Sequence, residues 1–145
     1  MPKKHRILPK WSDYASLHDG WSFAGDYRVE DTVRAWMPEA EWPDTLPVRI
    51  EVQAAERGRL QVHLQIDAQA RLPCQRCGAP LDWAEPLQQE LLLVREEQKD
   101  LEQIQWPLDE DKVYWQAMVE GELSLGLPDY PRHPQCDLQG STSTH

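Results

Sequence analysis

The sequence predicts an α+β fold: a single domain with a central antiparallel β-sheet and a few packed helices. Three observations predict it. Residues 48–54 and 60–72 alternate apolar and polar side chains with the period of a half-buried strand. A third extended, apolar-rich stretch at 81–94 follows after a turn-like break. A segment with helical spacing, 114–125, comes next and stops at Gly126 and Pro128. One-sided alternation favours antiparallel pairing, because parallel sheets are covered on both faces. The chain has 145 residues, the size of one ordinary domain. Residues 1–137 are taken as that domain, with 1–10 a basic arm and 138–145 a small polar tail.

Residues 11–17 read as a short helix, and 21–29 as a strand of mixed aromatic and polar residues. Glu30 and Asp31 give an acidic start to a helix that reaches Trp36 and stops before Pro38. Residues 38–47 hold three prolines and read as a connection. Val48, Ile50, Val52 and Ala54 then alternate with Arg49, Glu51 and Gln53. Arg57-Gly58 is a turn. Leu60, Val62, Leu64, Ile66, Ala68, Ala70 and Leu72 keep the alternation without a slip. Residues 73–80 break it, and Pro86 marks the next stretch as an edge strand or a bulge. Residues 96–111 form an acidic connection containing Trp106-Pro107, long for a compact domain. In the last helix Tyr114, Ala117, Met118, Gly121 and Leu125 are expected on one face, with Asp109 or Asp111 as cap.

Composition narrows the function. Apolar residues are 40% and charged residues 28%, as in soluble globular domains. The longest apolar run, Leu91-Leu92-Leu93-Val94, is far short of the ~20 residues of a membrane span. The basic N-terminus lacks the apolar stretch of a secretory signal. Three cysteines, an odd count, point to a reducing cytosol. The net charge is -10 and unevenly placed. Residues 1–76 carry 11 basic and 11 acidic side chains; residues 77–145 carry 4 and 14. A uniformly basic nucleic-acid binder is excluded. A protein with one phosphate-tolerant end, or an acidic partner of a basic protein, is not.

The strongest local signal is Pro73-Cys74-Gln75-Arg76-Cys77-Gly78. A Cys-x-x-Cys turn closed by Gly resembles half of a zinc ribbon: the turn aims both thiolates at one point. His133 and Cys136 follow with ligand-like spacing, so Cys74, Cys77, His133 and Cys136 make a candidate Cys3His set. The plainer expectation is free thiols in a tight turn. A chain of this size builds a core without a metal, so no cofactor is required and zinc is optional. Thioredoxin-like chemistry lacks its βαβ setting. No phosphate loop, nucleophile elbow or paired-histidine zinc motif is present, and no enzyme is expected. His5, His18 and His63 read as surface histidines. Among seven tryptophans, Trp83 and Trp115 are expected in the core, while Trp11 and Trp21 stand near the basic arm as candidates for base stacking. Phosphate contact is expected from Lys3, Lys4, Arg6 and Lys10, with Arg71 and Arg76 at the cysteine turn.

Leu72-Pro73-Cys74-Gln75-Arg76-Cys77-Gly78, taken with Glu122-Leu123-Ser124-Leu125-Gly126-Leu127-Pro128, resembles the YceD family, the large ribosomal RNA subunit accumulation proteins. Both motifs stand in the family's order: C-x-R-C at a strand end, an extended segment, an acidic stretch, a helix closing in E-x-x-L-x-L-P, and a late Cys, here Cys136. The likeness covers roughly residues 60–137. It implies a cytoplasmic, non-enzymatic factor for synthesis, processing or stability of large-subunit (23S) ribosomal RNA. Its partners would be that RNA or its precursor particles, met directly or through a basic ribosomal protein, and no membrane. In the second case the contact is the acidic face at Glu96, Glu97, Asp100 and Glu102.

Overall fold

A computed structural model describes residues 6–96, 98–99 and 101–134. Strands β1 (Trp11–Asp13), β2 (Trp21–Arg28), β3 (Thr45–Ala54), β4 (Leu60–Pro73), β5 (Pro80–Val94), β6 (Gln105–Pro107) and β7 (Lys112–Tyr114) are joined by helices α1 (Asp31–Trp36) and α2 (Trp115–Gly126). The main sheet has the order β2-β3-β4-β5-β6. From β2 to β5 it is the expected antiparallel meander, and α1 lies where the acidic start placed it.

Its register follows the alternation. Every second residue of β4 from Leu60 to Leu72 is buried, and so are Leu46, Val48, Ile50 and Val52 of β3. Cross-strand neighbours on this face run Phe23, Ile50, Leu64 and Tyr27, Leu46. α2 closes over it with Trp115, Met118, Val119 and Leu123. The opposite face keeps Arg49, Gln65, Asp67 and Gln69 at the surface. Tyr27 is fully buried, and its hydroxyl donates to Glu120 Oε2 at 2.7 Å. Burial first, and then that bond, raise its phenol far above the ordinary range.

Four expectations are corrected. The sheet is mixed, because β6 pairs with β5 in parallel, Leu92 with Gln105 through Val94 with Pro107. At this end of β5 Leu91, Leu92, Leu93 and Val94 are all buried, so both faces of the strand are covered there. Pro86 is paired only with Asp67 of β4, on a stretch of β5 that β6 does not reach, so its missing N–H costs no ladder bond there. Second, residues 11–17 are not one helix. Trp11–Asp13 pairs antiparallel with β7, and only Tyr14–Leu17 forms a 3-10 turn. Third, the face of α2 is rotated: Ala117 and Leu125 are exposed, and Tyr114 rather than Asp109 or Asp111 caps the helix. Fourth, β3 begins at Thr45, so Pro47 lies inside it, paired with Asp26 just beyond the β4 ladder.

Segment 6–8 runs along the outer edge of β2. Asp26 N–H donates to Arg6 O, and Leu8 N–H donates to Asp26 O, both at 2.8 Å. Gly25 permits this approach: a Cβ there would lie 2.4 Å from Arg6 O and 2.7 Å from Phe23 Cζ.

Candidate metal centre and basic surface

The cysteine turn is built by hydrogen bonds that end the β4–β5 hairpin. Cys74 N–H donates to Ala79 O at 2.9 Å, and Gly78 N–H returns to Cys74 O at 2.8 Å. Gly78 holds φ 79°, a left-handed conformation that costs a residue with a Cβ more. Cys74 is buried and Cys77 exposed. The strap after α2 crosses this turn, where Gln75 N–H donates to Pro131 O at 2.8 Å.

That crossing brings in His133. Its Nδ1 lies 3.5 Å from Cys77 Sγ, and its Nε2 lies 3.1 Å from Pro80 O. A carbonyl only accepts, so Nε2 carries the hydrogen and a neutral ring turns its Nδ1 lone pair toward the sulfur. A hydrogen bond of this kind, from the far ring nitrogen to a carbonyl, fixes the tautomer of a metal-binding histidine. Cys74 Sγ, Cys77 Sγ and the His133 ring nitrogen lie within 4.8 Å of one another. Around tetrahedral zinc the S···N edge is about 3.6 Å, so the observed 3.5 Å fits. The donor set, two soft thiolates and an imidazole, suits zinc. Cys136, the expected fourth ligand, lies outside the described residues.

Among the described residues, the basic candidates do not form one surface. Lys3 and Lys4 lie outside the described residues. Arg6 sits over the Phe23 ring at 5.0 Å, and Lys10 is exposed. Arg71 Nε donates to Asp82 Oδ1 at 3.1 Å, while Arg76 projects from the cysteine turn. Arg6 is anchored at the level of Asp26 and Pro47, beside the Asp67 end of the β3–β4 ladder. Seven residues of strand separate Asp67 from the cysteine turn, about 23 Å at 3.3 Å each. Arg132, which sequence reasoning passed over, does join the turn. Its signal was present: Arg132 precedes His133 as Arg76 precedes Cys77.

Of the stacking candidates, Trp11 is 42% exposed with Lys112 Nζ 4.4 Å above its ring. Trp21 lies parallel against the buried Trp115, centroids 4.7 Å apart, so one of its faces is taken. Trp115 is in the core as expected; Trp83 is only partly buried, edge-on to Trp42. Glu96 and Glu102 are exposed on the acidic connection, and Glu97 and Asp100 lie outside the described residues.

No helix among the described residues is long and apolar enough to cross a membrane. No curated protein and no solved structure matches the chain. A family model described as large ribosomal RNA subunit accumulation protein YceD matches residues 62–144, from early β4 through the cysteine turn, α2 and the strap. With more than half of its length inside that match, the chain belongs to the YceD family.

Proposed function

We propose that this protein is a non-enzymatic, cytoplasmic factor that acts by binding to support accumulation of 23S ribosomal RNA, and that Cys74, Cys77 and His133 hold a structural zinc ion. The observation that carries the first half is the family match over residues 62–144. The second half rests on the converging thiols and imidazole. When bound, zinc supplies a cross-link between the hairpin turn and the strap. The chain's own residues do the rest: Pro80 O orients the ring, and Gln75 N–H holds the strap at Pro131.

A surface hollow of about 350 Å³ on the open sheet face is lined by Arg49, Gln65 and Asp67. Among the described residues Tyr27 and Glu122 have raised pKa values, and both lie away from this hollow. The acid excess after residue 76 favours a second reading, an adaptor that meets a basic ribosomal protein through Glu96 and Glu102 without touching RNA.

Co-sedimentation with large-subunit precursors tests the role, and pull-down with and without ribonuclease separates the readings. Direct contact is lost on ribonuclease treatment; protein-mediated contact survives it. Absence from precursor particles under both conditions refutes the binding role.

A further inference from the structure

Among the described residues, the outer edge of β5 is occupied at both ends and bare between. Leu92 N–H donates to Ile104 O and Leu108 N–H donates to Val94 O, both at 2.8 Å, so Leu92 and Val94 turn their backbone groups toward β6. The β4–β5 register runs unbroken from Leu60 with Leu93 to Pro73 with Pro80. In an unbroken antiparallel ladder alternate residues turn the same way. Glu90, Gln88, Pro86, Ala84 and Asp82 therefore also face outward. Pro80 O keeps the phase, and there His133 Nε2 bonds to it at 3.1 Å. Between that bond and β6, the outward backbone of the described residues 82–90 meets one group, the Gln89 side chain, whose Oε1 accepts from Glu90 N–H at 3.3 Å. The bare stretch is about 26 Å long at ~3.3 Å per residue. Asp82, Ala84, Pro86, Gln88 and Glu90 are all exposed.

An unpaired edge of this length is a template for another strand. Its chemistry selects which strand. Asp82, Glu85 and Glu90 lie on it, with no Lys or Arg among residues 82–90. Glu122 of α2 bonds to Gln89 beside them. Arg71 offsets Asp82, and His63 stands 3.3 Å from Glu90. The remainder is acidic and favours a basic segment. A second copy of the chain fits poorly. A two-fold pair centred on Pro86 would set Asp82 against Glu90 and Pro86 against itself, which opposes like charges and removes a donor from each strand. On the core side Trp83 is partly buried, and Leu125, beside the Gly126 that packs on Leu87, is 79% exposed. Alternate apolar residues of an added strand therefore have apolar surface to cover.

We propose that the β5 edge from Asp82 to Glu90 takes up an extended basic segment of a protein partner as an added strand, its alternate lysine or arginine side chains beside the carboxylates. The proposal rests on the adaptor reading above and gives that partner a backbone ladder in line with β6. The probe is a labelled octapeptide of alternating lysine and valine, titrated into the full chain at low salt and followed by fluorescence anisotropy. On binding, the Ala84 and Gln88 amides should lose their fast hydrogen exchange. Gln88→Pro removes an outward donor and sets its ring on the edge while sparing the β4 ladder, as Pro86 already does. It should weaken binding at least about 10-fold with a thermal midpoint near the parent's. Pro86→Thr adds a donor and should strengthen binding about 2- to 12-fold, the worth of one hydrogen bond. Binding that leaves Ala84 and Gln88 exchange unchanged, and is equal in the parent and both variants, overturns the edge site while the adaptor reading stands. No binding of the peptide by the parent also overturns the edge site; the adaptor reading falls with it where association with precursor particles is lost on ribonuclease treatment, and stands where that association survives. A parent dimer in sedimentation that Gln88→Pro dissociates assigns the edge to a second copy and overturns the basic partner.

Discussion

Replacing Gly25 by Ala tests how the basic arm is attached. The new Cβ would meet the Arg6 carbonyl oxygen at 2.4 Å and Arg6 Cβ at 2.9 Å. The first is backbone and cannot rotate away, so segment 6–8 must leave. Its departure breaks the two 2.8 Å bonds with Asp26, each worth about 0.5–1.5 kcal/mol net. It also exposes Leu8, now 2% accessible, at about 1.5–3 kcal/mol. Freed backbone entropy of about 1–2 kcal/mol per residue offsets much of that loss. The two nearly balance over three residues, so we expect a global cost below about 3 kcal/mol by denaturant unfolding. The local signal is sharper. In hydrogen exchange the Leu8 and Asp26 amides should lose protection while Ile50 and Leu64 keep theirs. If Leu8 and Asp26 stay as protected as in the parent and the unfolding midpoint does not move, the edge contact and this reasoning are wrong.

Ile66→Ala should cost about 2–5 kcal/mol and Gln65→Ala under about 0.5, because Ile66 is 1% exposed and Gln65 faces solvent; equal losses would mean the register is shifted. Purified protein should carry about one equivalent of zinc by elemental analysis, and Cys77→Ser or a chelator should remove it and lower the thermal midpoint; metal-free protein with an unchanged midpoint after chelation refutes the centre. Glu110 and Asp111 hold φ of 53° and 61° between the paired Asp109 and Lys112. Glu110→Asn/Asp111→Gly suits such a turn and should stabilise by about 0.5–2 kcal/mol, partly offset by the exposed Arg95–Asp111 pair; calorimetry decides. Burial, partly countered by Gln89, raises the Glu122 carboxyl. Its protonated form therefore favours the fold, a contribution present in acid and lost as pH rises through the folded-state pKa. Glu122→Gln should gain stability over the parent at neutral pH and lose that gain in acid, as denaturation at both pH values would show.

What the sequence makes legible is periodicity long enough to count. Residues 60–72 alternate over thirteen positions and lie in one strand on one face. β1, β6 and β7 have three residues each, too few for a period, and exist only because a partner edge is present. The two-sided burial of the β5 end did leave a trace in Leu91-Leu92-Leu93-Val94, an unalternating run of the kind a strand covered on both faces shows. The α2 face departs from the spacing because the helix turns Leu125 outward, beside Gly126 where it packs on Leu87. At the candidate site, Cys74, Cys77 and His133 were legible from residue chemistry. The scatter of the basic residues was not, because composition counts charges without placing them.

The Cys77–His133 contact joins positions 56 residues apart. During synthesis the β4–β5 turn is made well before His133, so both thiols emerge while their imidazole partner is still untranslated. The three donors meet only once the sheet has formed and α2 has delivered the strap. Assembly of the donor set is therefore a late event that marks completion of the fold. A thiol-reactive probe added in pulses during refolding would time it, labelling Cys77 readily at first and more slowly once His133 has docked.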